Sequence, residues 1–422
     1  MRFLITLLLV SSFSIKAQKE YAKEIITELC SETYLGRGYT QNSDKKAAQY
    51  IAKKFKEHGL KPVSDTYFQK FTLNINTFPN EVKVSFDDLY LVTGEDFIID
   101  PNSGSAKGRY ELFIIDSTII HAKHLENLIK QKANENKNRV CIVINSGAEK
   151  DPDKLLKYRE LPFKYANHFP VIKVNNNKLT WGAGRRQYQF PIIEMNAELV
   201  LGKSSVNIDI QNEYIENYKT QNVVAFVKGS KSNSSKKTKV FTSHYDHLGQ
   251  MGNTAYIPGA NDNASGISML INLAKYYGEN PPKYDMVFIA FGAEEAGLVG
   301  SHYFVQNPLI ELNKIRLLLN LDLLGTGEDG IAVVNATVYP KQFKKLLKIN
   351  KKNDYFSRVK RRGAAANSDH YFFTKAGVPC FFIYTMGGIA AYHDIHDKAE
   401  TLPLTDYDDV FNLLVEMMRR VR

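Results

Sequence analysis

The chain has 422 residues, 44% hydrophobic and 24% charged, the proportions of a globular protein with material for a large core and two or three domains. That composition excludes a disordered tail, a collagen-like fibre and a small disulfide scaffold. The formal charge of +10 is spread along the chain without a zinc-finger, RNP or helix-turn-helix signature, so it reads as a basic solvated surface and not as a nucleic-acid partner face.

At the start, Met1 and Arg2 precede an apolar run from Phe3 to Ile15 that ends at Lys16-Ala17-Gln18. This is the pattern of a secretory signal peptide over 1–17, too short to span a bilayer, which needs ~20 residues. No Cys marks a lipid attachment point, and the mature protein is expected to be exported, periplasmic or secreted, with no stable membrane insertion. Ala47, Ala48, Ile51, Ala52, Phe55 and Leu60 then recur at helical spacing, with Ser43 as expected N-cap and Gly59 as the stop.

From about 79 to 212 the pattern changes to short alternating strands, a turn at Asp100-Pro-Asn-Ser-Gly104 and one helix near Ile119–Asn134. This stretch is expected to be a second domain inserted into the first, which comprises 18–78 and 213–422. Lys228–Lys239, rich in Gly, Ser and Lys, reads as a solvated loop. Beyond it, strands are predicted at Asn222–Val227, Lys239–Ser243, Asp285–Phe291, Ile315–Leu324 and Val378–Tyr384. Helices are predicted at Ser265–Tyr277, Lys341–Lys352, Asp369–Ala376 and Asp406–Arg420. Apolar strands alternating with helices imply an α/β/α sandwich around a mostly parallel or mixed sheet, here with a smaller β-rich α+β insertion. Cys30, Cys141 and Cys380 are far apart, lack metal-site spacing and allow at most one internal disulfide; Cys380, in an apolar run, reads as a buried small hydrophobe.

The chemistry-bearing residues follow the predicted strands. Phe241-Thr-Ser-His-Tyr-Asp-His247, Gly259-Ala-Asn-Asp-Asn-Ala-Ser-Gly266, Phe288-Ile-Ala-Phe-Gly-Ala-Glu-Glu295, Leu317-Leu-Leu-Asn-Leu-Asp322 and Ala390-Ala-Tyr-His-Asp-Ile-His-Asp397 can meet in one crevice, because open α/β sheets bind ligands at the carboxyl ends of their strands. His244 is a nitrogen donor that Asp246 can orient. Asp262 projects from a tight turn, and Asp322 ends a Leu-rich strand where an unpaired charge is costly. Of the neighbours Glu294 and Glu295, one can bind metal while the other serves as general base. A mixed His and carboxylate set suits zinc; oxygen ligands alone would point to magnesium or calcium.

The set His-x-Asp-His, Gly-Ala-x-Asp-Asn-Ala-Ser-Gly, Gly-Ala-Glu-Glu-x-Gly-Leu-x-Gly-Ser, Asn-Leu-Asp and Tyr-His resembles the co-catalytic di-zinc aminopeptidases, over about 25–78 and 213–422. Tyr34-Leu-Gly-Arg-Gly38 resembles the start of that family, and the insertion loosely matches its protease-associated domain. The resemblance implies two Zn²⁺ ions: one held by His244 and Asp322, the other by Glu295 and His393, with Asp262 bridging. It implies that Glu294 is the general base, that Asp246 supports His244 and that the Tyr392 hydroxyl steadies the oxyanion. The substrates would be peptides with free N-termini. Ser368-Asp-His370 also resembles a family signature, without an assigned role.

Two departures stand out. The family's Tyr-His-x-Pro-x-Asp-Thr is here Tyr392-His-Asp-Ile-His-Asp-Lys398, which lacks the Pro and Thr and offers His396 as a second candidate ligand beside His393. Asn261 stands where an Asp is common. The alternative activities are a carboxypeptidase of the related glutamate-releasing type, with Arg361 and Arg362 meeting a substrate carboxylate, a glutaminyl-cyclase-like transferase, and an inactive peptide-binding protein.

Overall fold

Residues 18–420 are described in the computed structural model, apart from 88, 121, 123, 148 and 231–237. The expected leader, 1–17, and the centre of the Lys228–Lys239 loop lie outside the described residues. After a helix over 18–29, the periodic apolar segment forms the helix Ser43–Glu57. Ser43 is its first helical residue and not its cap. The hydroxyl turns back to the carbonyls of Gly38 and Thr40, both at 2.8 Å, so it is not an acceptor for the helix N–H groups.

The larger sheet has nine strands. Its centre is four parallel strands in the spatial order Met286–Phe291, Thr238–His244, Ile315–Leu321 and Cys380–Thr385. On one side Glu213–Val227 runs antiparallel to Met286–Phe291 and also pairs with Phe68–Thr77 and Lys61–Pro62. On the other, Ile331–Val334 lies antiparallel to Cys380–Thr385, and Val359–Arg361 closes the edge.

Alternate side chains of the central strands enter opposite cores, as a two-residue period requires. Phe241, Phe288, Leu319 and Phe381 meet the helices Ser43–Glu57, Gly266–Glu279, Pro340–Asn353 and Tyr407–Arg420. Val240, Val287, Ile289 and Leu318 face Phe304 and Phe373, from the helices Val299–Gln306 and His370–Lys375. This is the sandwich read from the sequence.

Every strand from Val82–Phe86 to Ser205–Ile210 belongs to a second, eight-stranded sheet. The chain leaves and returns at a paired position of the first sheet, Thr77 opposite Glu213. The helix read near Ile119–Asn134 spans Leu125–Glu135. A second helix, Pro152–Tyr165, was not anticipated; Asp151 caps it by accepting from the Asp153 and Lys154 N–H groups. Among the described residues no helix is long and apolar enough to cross a membrane. The three cysteines are buried and unpaired.

Candidate metal centre

Four of the chemistry-bearing segments leave the carboxyl ends of the parallel strands on one side of the sheet. His244 ends its strand, Asp322 directly follows Leu321, Glu294 and Glu295 lie just past Phe291, and the 390–397 loop follows Thr385. The fifth segment brings Asp262 between them. Its turn is fixed from two sides. The Asp397 carboxylate accepts the N–H groups of Asn261 and Asp262 at 2.8 and 3.0 Å. The buried Arg37 guanidinium donates to the carbonyls of Leu29, Tyr245, Pro258, Gly259 and Asp262. Gly36, at φ +66°, lets that arginine in, since a Cβ there would stand 2.1 Å from the Ile257 carbonyl oxygen.

Asp262 uses both oxygens. Oδ1 is 3.3 Å from His244 Nε2 and Oδ2 is 3.1 Å from His393 Nε2. His244 Nε2 also faces Asp322 Oδ1 at 3.4 Å, and His393 Nε2 faces Glu295 Oε2 at 3.4 Å. Donor atoms of His244, Asp262 and Asp322 lie within 4.8 Å of one another, as do those of His244, Glu294 and Glu295 and those of His247, Asp262 and Glu295. Among the described residues, the ion-pair partners of Asp262, Glu295 and Asp322 are all histidines. Buried carboxylates gathered around imidazoles, with no Lys or Arg paired to them, suit a divalent cation.

Asp246 acts differently from the sequence expectation. His244 Nδ1 meets its backbone carbonyl at 3.1 Å, whereas the carboxylate oxygen Oδ1 is 3.9 Å away. The carboxylate instead accepts the N–H groups of Glu294 and Glu295 at 3.0 and 3.3 Å and the Tyr39 hydroxyl at 3.2 Å. It therefore shapes the Glu294-Glu295 turn. Burial, reinforced by Glu295, raises its pKa to about 6. Burial likewise pushes the Glu294 carboxyl well above the usual range; His244 opposes the shift, while Glu295, Asp369 and Asp322 reinforce it. Glu295 rises to about 7, from burial and the nearby Asp262.

Tyr392 stacks on His393, with centroids 3.9 Å apart and planes at 15°. His396 lies apart from the cluster, with Nε2 3.3 Å from Glu95 Oε2. Ser368 receives a hydrogen bond from Asn320 Nδ2 and donates one to Asp322 Oδ2, both at 2.8 Å. Asp369 is buried beside the centre, and His370 packs on Phe382. Arg361 is exposed, and Arg362 bonds the Tyr384 hydroxyl at 2.7 Å.

Three participants were not singled out from the sequence. His247 Nδ1 contacts Glu295 Oε1 at 2.7 Å. Trp181, from the second sheet's chain, receives His393 Nδ1 on its carbonyl at 3.0 Å. Arg37 holds the Asp262 turn. His247 and Arg37 stood inside quoted motifs; Trp181 carried only the signal of being the single tryptophan.

Residues 222–418 match peptidase family M28. Aminopeptidase YwaD of Bacillus subtilis is 36% identical over 111 residues, covering 26% of this chain and 23% of that protein. The aligned stretch thus spans less than a quarter of this curated relative. Among solved structures, the zinc aminopeptidase BSAP from Bacillus subtilis superposes with a TM-score of 0.67 at 20% identity, covering 94% of both chains. A peptidase M28 precursor from Shewanella amazonensis gives a TM-score of 0.67 at 16% identity, covering 97% of this chain and 96% of the other. At these identities the superpositions establish the fold.

Proposed function

We propose, from the match of residues 222–418 to peptidase family M28, that the protein is a zinc-dependent aminopeptidase that removes N-terminal residues from peptides. The observation that carries this reading is Asp262, whose two oxygens face His244 and His393 separately. Two ions would share it, one held with His244 and Asp322, the other with Glu295 and His393. When bound, such a pair lowers the pKa of water toward ~7 and polarises a carbonyl.

The protein's own groups do the rest. Glu294 is buried and its proton affinity is raised, so it takes the proton of the attacking water and returns it to the leaving amine. Asp246 holds that residue's backbone through the Glu294 N–H. Ser368 and the Asp246 carbonyl fix the orientations of Asp322 and His244. Tyr392, stacked on His393 and 45% exposed, offers its hydroxyl to the developing oxyanion. Residues 79–212 constitute the inserted protease-associated-like domain, and the 1–17 leader directs export to a periplasm or the medium.

The Arg362–Tyr384 contact weighs against a carboxypeptidase in which that arginine binds the substrate carboxylate. A cyclase with a single ion would leave one of the two donor sets unused, and a mere binding protein would not need Glu294. The test is mass spectrometry of peptides incubated with the purified mature protein. Shortening from free N-termini, absent for acetylated peptides and abolished by a chelator, is expected. Shortening from the C-terminus, ammonia loss from N-terminal Gln peptides, or no change with zinc supplied would overturn the proposal.

A further inference from the structure

The two donor sets are supported from different parts of the chain. His244 is oriented by the Asp246 carbonyl and Asp322 by Ser368, all within 213–422. His393 is instead held from the second sheet's chain. Its Nδ1 meets the Trp181 carbonyl at 3.0 Å, and its own carbonyl receives the Trp181 N–H at 2.9 Å. A proton on Nδ1, donated to Trp181, leaves the Nε2 lone pair facing Asp262 and Glu295.

Trp181 is itself anchored. Its indole Nε1 donates to the Ile99 carbonyl at 2.9 Å, and its buried ring lies against Phe78. Three residues earlier, Lys178 bonds the carbonyls of Ala390 and Tyr392 at 2.6 and 3.3 Å and pairs with Asp394. Ile395 packs against the second sheet's core, and His396 pairs with Glu95. His393 sits at φ +54°, a left-handed conformation that a non-glycine residue keeps only where its surroundings fix it.

We infer that the 79–212 insertion is a working part of one metal subsite: Trp181 is a positioning residue that sets the tautomer and orientation of His393, and Lys178 straps down the loop carrying it. This rests on the two-ion reading above. It makes the subsites unequal, since displacement of the inserted sheet loosens the Glu295–His393 site and spares the His244–Asp322 site.

The test is stepwise zinc binding by the full-length protein, read by chelator competition and metal content per chain. Trp181→Ala removes the indole anchor; Lys178→Met, at a half-exposed side chain, loosens the strap without touching a core. Each variant is expected to weaken one of two ions by ~10–100-fold, the range for loss of a ligand's supporting partner, with the other ion unchanged. Lys178→Arg should restore the strap. If the wild type binds two ions and both variants keep both affinities, or lose both equally, the inference is overturned while the two-ion reading stands. A wild type holding a single ion overturns both.

Discussion

His247 Nδ1 stands 2.7 Å from Glu295 Oε1, while the carboxylate's other oxygen, Oε2, is 3.4 Å from His393 Nε2. Burial drives the His247 pKa down to about 3, so the ring is neutral; with its proton on Nδ1 it donates to the Glu295 carboxylate, which is an acceptor. One oxygen of Glu295 is thereby held, and the other is left toward His393. His247→Ala should weaken one zinc by ~10–100-fold. His247→Asn, whose Nδ2 can replace the ring donor, should retain most of the affinity. Equal zinc affinity in the Ala variant and the wild type would contradict this role.

Glu294 differs from its neighbour in having no imidazole hydrogen bond or ion pair recorded among the described residues, although burial raises its proton affinity. Glu294→Gln keeps the shape and removes the base. The expected outcome is a kcat lower by ~10²–10⁴ with zinc content per chain unchanged. A variant that keeps both ions and full turnover would remove Glu294 from the mechanism.

Arg37 carries its charge into the interior with carbonyl oxygens as its hydrogen-bond partners. Arg37→Met would strip donors from five of them, each costing ~1–3 kcal/mol when left buried and unpaired. These losses are partly offset by no longer burying a charge. A net destabilisation of about 3 kcal/mol is expected, read as a lower urea midpoint at unchanged slope. Wild-type stability in this variant would show that the carbonyls find water or other donors.

Asp44 accepts the Tyr218 and Thr220 hydroxyls at 2.6 and 2.7 Å, yet burial outweighs both and raises its pKa from 3.8 to about 6. The folded state holds this proton more tightly than the unfolded chain. The contribution to stability is therefore full below about pH 4 and lost as pH rises through about 6, by about 3 kcal/mol at most. Asp44→Asn has no such titration. The stability of the wild type minus that of the variant should fall from about pH 4 to about pH 7, and zinc loss in acid cancels in this difference. A flat difference would contradict the shift.

Much of the sandwich was legible because its strands are short apolar runs, buried on both faces, that alternate with amphipathic helices. His244, Asp322, Glu294 and Glu295 were legible as candidates for a related reason, since polar groups close after apolar strands must find partners or ions. Asp262 as a bridge and His393 as a ligand came only from the family resemblance. His247 lies three residues beyond its strand, where alternation no longer tells which way a ring points. Trp181 and His393 are 212 positions apart, and neither local pattern nor spacing links them. The helix Pro152–Tyr165 had a start signal in Asp151-Pro152, but Pro162 and the exposed Leu156 and Phe163 blurred its apolar stripe. Ser43 has the right residue type for a cap, yet the turn before it supplied closer carbonyls.

Anomalous scattering at the zinc edge, from crystals of the zinc-loaded protein, tests the central claim most directly. Two ions sharing Asp262 are predicted, one with His244 and Asp322 and the other with Glu295 and His393. A single ion, or ions bound by other residues, would contradict the account.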